Sequence, residues 1–245
     1  MANQEQLDIV KQGPKSWNKW CQENISTHID LSNADLSRSD FRHADLNRAD
    51  LTSTNFQGAD LSYANLRGVD LSYADLSHAN LNGAGIRGSV LRGTNLFDAS
   101  LSKVDFRGAL IELTNFTMLD LSETLGLEKV KHDWYSSIDT HTLRLSKGNI
   151  PEAFLRGCGL PDWEIESAKL HNPDLTNEEI VKIQYRIYEL RATQALQISP
   201  LFISYSHVDS VFVDKLEKGL NEKGIRFWRD IHLSLIHISE PTRPY

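Results

Sequence analysis

The stretch ADLNRADLTSTNFQGADLSYANLRGVDLSYADLSHANLNG, from Ala44 to Gly83, repeats every five residues. In each repeat the third residue is Leu or Phe, the first is small and the second is Asp or Asn. A period of five fits neither the 3.6-residue turn of an α-helix nor the two-residue alternation of a flat strand. The same register continues in both directions over nineteen repeats, whose central residues are Leu31, Leu36, Phe41, Leu46, Leu51, Phe56, Leu61, Leu66, Leu71, Leu76, Leu81, Ile86, Leu91, Leu96, Leu101, Phe106, Ile111, Phe116 and Leu121.

A chain that turns a corner every five residues places every fifth side chain on a shared axis. Four corners close a coil of about twenty residues, and coils stack at about 4.8 Å. The span from Leu31 to Leu121 then makes roughly four and a half coils of a solenoid predicted over residues 28–122. Several repeats have glycine two residues after the centre, and glycine suits a corner that needs unusual dihedral angles. These glycines are Gly58, Gly68, Gly83, Gly88, Gly93 and Gly108. The pattern A(D/N)LXX resembles the pentapeptide-repeat family, and this resemblance implies a mainly β fold, a right-handed quadrilateral β-helix.

The Asp/Asn column before each centre has three interpretations. Its side chains can hydrogen-bond to backbone groups at the corners, which Asp and Asn do well. They can imitate DNA phosphates, as some family members that resist gyrase poisons are thought to do, or they can bind calcium. Twelve Asp and Glu stand against eight Lys and Arg between Asp30 and Asp120, a mild and interspersed charge, and no oxygens cluster as calcium requires. We therefore favour the structural interpretation and expect no metal site.

A solenoid exposes its terminal coils, so both ends need caps. Residues 1–27 are expected to form an N-terminal capping helix that begins at Pro14 and plugs the first coil with Trp17 and Trp20. The other end is expected to be closed by Leu125, Leu127, Val130 and Trp134.

The five-residue register stops at Glu123, and residues 123–199 are predicted to be a mostly helical connecting region. Pro151 and Pro161 can each begin a helix, and Thr176 with Glu179 forms a capping box for a third. This third helix carries an apolar stripe, which favours packing against the rod or the next domain over a dimerising coil. The stripe consists of Ile180, Ile183, Ile187 and Leu190.

Residues 200–232 read as strand, helix and strand: LFISYSH, then SVFVDKLEKGLNEKG, then IRFWRD. One β-α-β unit of this kind takes a right-handed crossover between parallel strands. The string resembles the opening of a bacterial TIR (Toll/interleukin-receptor) domain, truncated after its first unit. The resemblance implies a partial nucleotide pocket or motif at Ser204, Tyr205, Ser206, Asp209, Trp228, Arg229 and Asp230.

Some TIR domains assemble with other TIR domains, and others cleave NAD with a glutamate from a later helix. No residue of this chain corresponds to that glutamate, so we expect no catalytic residue and no cofactor here; NAD is a substrate of the intact parent at most. Residues 233–245 contain LSLIHISEPTR, which resembles a reading frame of a sequencing adapter, and we expect this tail to be non-native.

The net charge of −7 argues against nucleic acid as a partner. Two cysteines and the absence of a signal peptide or apolar span favour a cytoplasmic protein that does not contact membranes. The prediction is a non-enzymatic scaffold that presents a TIR domain to protein partners, among them other TIR domains, in bacterial signal transduction or defence. The alternatives are an NAD⁺ glycohydrolase parent in antiphage defence and a DNA mimic that acts on a topoisomerase.

Overall fold

The computed structural model describes residues 2–198, 201–204, 215–216, 218 and 227–230. It divides into two compact units, Met1–Gln184 and Tyr185–Tyr245, which we describe separately. The expected tail at residues 233–245 lies outside the described residues.

The repeats of the first unit form a β-solenoid with a coil of twenty residues. Each coil pairs in parallel with the next at equivalent positions, for example Asp30 with Asp50 and Asp50 with Asp70. A corner every five residues leaves room for little more than one paired residue per side, so most sides are single bridges and not strands. Short strands appear toward the C-terminal end as β1 (Val90–Arg92), β2 (Leu110–Glu112), β3 (Asn115–Phe116), β4 (Lys131–His132) and β5 (Ser137–Ile138).

Most corners are tight turns closed by a backbone hydrogen bond, such as that from Ala34 N to Leu31 O at 3.2 Å. The residue two after the centre has a positive φ in eighteen repeats, whereas the residue before it does not, as in a type II turn. Six of the eighteen are the predicted glycines, and twelve are other residues, such as Asn33 (58°) and Tyr63 (58°). Stacking therefore imposes this geometry even where the residue does not favour it.

The interior is a ladder of the central side chains, all nineteen of which are at most 2% exposed. At four of the five small flanking positions that are Ser or Thr, all except Ser39, the hydroxyl donates to a carbonyl of the preceding coil. Thr54 donates to Leu31 O at 2.9 Å, and Thr94 donates to Leu71 O at 2.8 Å. These bonds satisfy polar groups that burial would otherwise make costly.

The N-terminal cap contains the helix predicted to begin at Pro14, α2 (Pro14–Glu23), and a further helix that was not predicted, α1 (Gln4–Val10). Gly13, with φ of 100°, separates them. Trp17 is fully buried and donates from Nε1 to Asp45 O at 2.8 Å, and Trp20 stacks on it at 5.2 Å.

Two side-chain amides of the cap take the place of the missing preceding coil. Gln6 donates from Nε2 to His28 O at 2.8 Å and accepts from Asp30 N at 2.8 Å. On another side of the coil, Asn18 donates from Nδ2 to His43 O at 2.9 Å and accepts from Asp45 N at 2.8 Å. A primary amide carries the same donor and acceptor as a peptide group, so it closes an edge that would otherwise pair with another chain.

The solenoid does not stop at Glu123, contrary to the prediction. Strand β4 pairs with β2 and β5 pairs with β3, at offsets of 21 and 22 residues, so an irregular coil continues to Ile138. Of the predicted closing residues, Leu127 is buried and Val130 is partly buried, but Leu125 and Trp134 are 50% and 63% exposed. The small insertions abolish the five-residue pattern while keeping the coil.

Three helices close the C-terminal end instead: α3 (Thr140–Leu145), α4 (Glu152–Gly157) and α5 (Asp162–Ala168). Helices α4 and α5 begin after Pro151 and Pro161, as predicted. Hydroxyls in and beside α3 satisfy the last coil, since Leu119 N donates to Thr142 Oγ1 at 3.1 Å and Leu121 N donates to Ser146 Oγ at 2.9 Å. The region assigned to a connecting segment is therefore largely the cap of the rod.

Helix α6 (Asn177–Ile198) begins in the first unit and ends in the second. The predicted capping box is present, with Thr176 N donating to Glu179 Oε2 at 2.8 Å and Glu179 N donating to Thr176 Oγ1 at 3.3 Å. The apolar stripe is half-buried, whereas the side chains beside it are exposed, namely Val181, Tyr185 and Tyr188.

In the second unit, β6 (Leu201–Ser204) and β7 (Phe227–Asp230) form a parallel pair, with Leu201 opposite Phe227. Between them, Lys215, Leu216 and Lys218 have helical backbone.

Candidate functional site

The outer surface of the solenoid has four faces, each formed by every fourth repeat. We name them by their central residues: face A (Leu31, Leu51, Leu71, Leu91, Ile111), face B (Leu36, Phe56, Leu76, Leu96, Phe116), face C (Phe41, Leu61, Leu81, Leu101, Leu121) and face D (Leu46, Leu66, Ile86, Phe106). In most repeats the residue before the centre and the two after it are at least partly exposed; Ser32, Ser62, Ser72 and Ser77, directly after a centre, are buried.

The Asp and Asn side chains before the centre bond to the corners. Fourteen of the fifteen accept a hydrogen bond from the backbone N–H two residues later, at 2.9–3.2 Å. Asparagines also donate to the carboxylate one coil earlier, as from Asn55 Nδ2 to Asp35 Oδ1 at 3.2 Å and from Asn80 Nδ2 to Asp60 Oδ1 at 3.1 Å. The hydrogen bonds predicted between this column and the corners are therefore present.

Hydrogen bonding keeps several of these carboxylates charged in acid. Ser32 lowers the pKa of Asp30, and Ser37 lowers the pKa of Asp35. The guanidinium of Arg42, bonded at 3.0 and 2.8 Å, lowers the pKa of Asp40 to about 2. In each case the bond favours the charged form.

The charges are distributed unequally over the four faces. Face A has four acidic residues and one basic residue. Face B has three acidic residues and one basic residue, and face C has four acidic residues and two basic residues. Face D has four arginines and two aspartates, and it is the one face with an excess of positive charge. The arginines were treated as scattered along the sequence, and this asymmetry was not predicted. Their spacing of nearly one twenty-residue coil would have indicated that they share a face. The four arginines are Arg48, Arg67, Arg87 and Arg107.

The predicted TIR residues lie partly outside the described structure. Backbone pairing places Ser204 opposite Asp230, so both strands end at one edge. Trp228 and Arg229 lie within β7, opposite Phe202 and Ile203. The remaining three predicted residues, Tyr205, Ser206 and Asp209, fall outside the described residues.

The described part of the chain contains no group of three or more His, Cys, Asp or Glu arranged to hold a metal ion. Burial raises the pKa of the Cys158 thiol to about 12 and that of Cys21 to about 11, which keeps both thiols protonated and poorly nucleophilic. None of the described helices has the length and apolarity needed to cross a membrane.

His132 was not predicted to matter. Its ring packs edge-on against Phe154 of α4, with the ring centroids 5.4 Å apart. The same ring occupies the space that a Cβ at Gly157 would need. Both ring nitrogens are buried without a hydrogen-bond partner among the described residues, and burial lowers the pKa of this imidazole. Protonation would place an uncompensated charge beneath the C-terminal cap.

The model of the family described as pentapeptide repeats matches residues 29–68, 49–88, 74–112 and 89–125. The chain is a pentapeptide-repeat protein. The match agrees with the coil and face geometry described above, and it stops short of the irregular last coil and the helical cap.

Several solved structures resemble this pentapeptide-repeat protein. One, from the thylakoid lumen of Arabidopsis thaliana, is 32% identical over 39% of this chain and 66% of its own, with a TM-score of 0.38. Another, from Nostoc PCC 7120, is 34% identical over 38% of this chain and 78% of its own, with a TM-score of 0.28. QnrB1, a plasmid-mediated fluoroquinolone resistance protein, is 23% identical over 54% of this chain and 64% of its own, with a TM-score of 0.27. No curated protein matches the chain.

Proposed function

We propose that this pentapeptide-repeat protein is a non-catalytic scaffold that acts through protein–protein contacts and presents a C-terminal TIR unit. The observation that carries the scaffold role is the continuous rod: one buried ladder closed at both ends by hydrogen-bonded caps. Such a body is stiff, because every coil is held to its neighbours by backbone bonds and packing. Its outer surface, not an interior cavity, is where partners have access.

The TIR assignment draws on the resemblance of residues 201–230 and on the parallel pairing of β6 with β7. Twenty-two residues separate Ser204 from Phe227, which is enough for the crossover helix that parallel neighbours need. Ligands of open parallel sheets bind at the carboxyl ends of the strands, the edge where Ser204 and Asp230 meet. The right-handed sense of the solenoid, the cytoplasmic location and the non-native tail remain predictions.

Self-association tests the TIR part of the proposal. The full chain is compared with a chain ending at Gln184, the boundary of the first compact unit, by light scattering across a wide range of concentrations. If TIR contacts operate, the full chain forms oligomers as concentration rises and the shorter chain stays monomeric. Identical behaviour of the two chains would contradict the proposal.

Nicotinamide release from NAD tests the non-catalytic part. The full chain at micromolar concentration is expected to release none above the buffer control, because no residue of the matched segment corresponds to the family's catalytic glutamate. Turnover by this chain would overturn the assignment and favour the NAD⁺ glycohydrolase.

DNA mimicry remains the weaker alternative. Faces A, B and C are acidic, but eight of their eleven carboxylates already accept from corner N–H groups, and face D has the opposite sign. At a TM-score of 0.27 the likeness to QnrB1 adds no argument. A supercoiling assay with gyrase should use residues 1–184, since α3 to α5 close the rod, and inhibition at micromolar protein would revive this alternative.

A further inference from the structure

We infer that face D is the surface through which the rod binds its partner, and that the partner presents an extended acidic polypeptide segment. This inference rests on the proposed scaffold function and adds the face and the chemistry. An acidic segment is attracted to face D and repelled by its neighbours, faces A and C, which carry an excess of negative charge. The charge distribution thus selects one side of the rod.

The arginines of face D form a column. Arg67, Arg87 and Arg107 occupy the same position in three successive coils, so their stems start about 4.8 Å apart along the rod. The corner position beside each of them is glycine, and a Cβ placed at Gly88 or Gly108 would meet nothing within 4 Å. The surface beside the column is therefore open, and a partner backbone can approach it closely.

Two of the guanidinium groups are not neutralised by the rod itself. Asp105 pairs with Arg107 at 2.6 Å and approaches Arg87 at 3.8 Å, but Arg48 and Arg67 form no ion pair with any described residue. Asp45, on the same face, already accepts from the backbone N–H of Asn47 and from Asn65. The end of face D nearest the N-terminal cap therefore holds available positive charge.

The stems of these two arginines lie along the rod over glycine. The nearest atom to a Cβ built at Gly68 is Cγ of Arg48, at 3.7 Å, and the nearest to one at Gly85 is Nε of Arg67, at 3.8 Å. A stem that already lies against the rod loses less rotamer freedom when it binds, so more of the ion-pair energy appears as affinity. Guanidinium groups also bind carboxylates in a bidentate way, which suits Glu and Asp side chains.

The dimensions favour a polypeptide over duplex DNA. Each face is one five-residue repeat wide, and an extended peptide fits within it. The phosphate backbones of a duplex border grooves of about 12 and 6 Å, so a duplex on face D would overhang the acidic faces beside it. The net charge of −7 adds long-range repulsion of any polyanion that extends past the arginines.

The test measures binding of a fluorescent oligoglutamate peptide to the full chain by anisotropy at low ionic strength. The double variant Arg48→Glu, Arg67→Glu removes the unpaired cations without breaking an internal ion pair. The matched control, Arg38→Glu with Lys103→Glu, makes the same change in net charge on faces B and C. Circular dichroism establishes that both variants are folded.

We expect the peptide dissociation constant to rise about tenfold or more in the face D variant and at most about twofold in the control. Equal losses in the two variants, or no binding by the wild-type chain, would overturn the inference. Tighter binding of single-stranded DNA than of a peptide of equal charge would overturn it in favour of nucleic acid. None of these outcomes alters the self-association or NAD results, so the two proposals fail separately.

Discussion

The amide of Gln6 should be worth more to stability than any surface contact of the same helix. Gln6→Met keeps the length of the side chain but removes the donor to His28 O and the acceptor for Asp30 N, both at 2.8 Å. Gln6 is 2% exposed, and a backbone group left without a partner costs about 1–3 kcal/mol when buried. Because His28 and Asp30 retain some access to water, we expect a loss of about 2–3 kcal/mol in the free energy of unfolding.

Urea denaturation of residues 1–184 measures this loss, with Asn18→Leu and Gln4→Met as graded comparisons. Asn18 makes an equivalent pair of bonds in a wetter position and should cost about 1 kcal/mol. Gln4 bonds only to Asp8 of its own helix and should cost less than about 0.5 kcal/mol. The reasoning is refuted if Gln6→Met costs no more than Gln4→Met.

Three further results are expected. Gly88→Ala should lower the free energy of unfolding by about 1–2 kcal/mol because of the positive φ alone. Gly83→Ala should lower it further, because the new Cβ would lie 2.7 Å from the ring of Tyr63. Equal losses in thermal melts of the two variants would disprove this contact. Since burial lowers the pKa of His132, stability should fall as pH drops below about 6.5, and His132→Phe should flatten that dependence in urea titrations from pH 7 to 5. The hydrogen bond from Arg42 lowers the pKa of folded Asp40 from 3.8 to about 2, so Asp40 stabilises the fold above pH 3.8 and this contribution is lost as the pH falls through about 2. Asp40→Asn should therefore show a shallower acid transition.

The solenoid was predictable because its information is local and repeated. Each repeat needs an apolar side chain at the axis, a small one beside it, and an Asp or Asn that bonds two residues ahead. None of these requirements involves a distant residue, so the nineteen central positions could be read directly from the pattern.

The C-terminal end was mispredicted because insertions of one or two residues erase a periodic pattern without breaking the coil. Trp134 is a large apolar residue of the kind expected in a cap, but it is 63% exposed. Thr142 and Ser146, which are small and polar, close the last coil instead. Hydrophobicity was the wrong criterion, since the exposed edge of a coil needs hydrogen-bond partners as well as cover.

By itself, the sequence determined the period, the residues on the axis, the corner bonds of the Asp/Asn column and the starts of α4, α5 and α6. Tertiary structure decided where the rod ends and how Gln6 and Asn18 replace an absent coil. The physical reason is the range of the interactions. Five-residue rules act within a repeat and repeat from coil to coil, but caps join residues more than twenty positions apart that share no pattern.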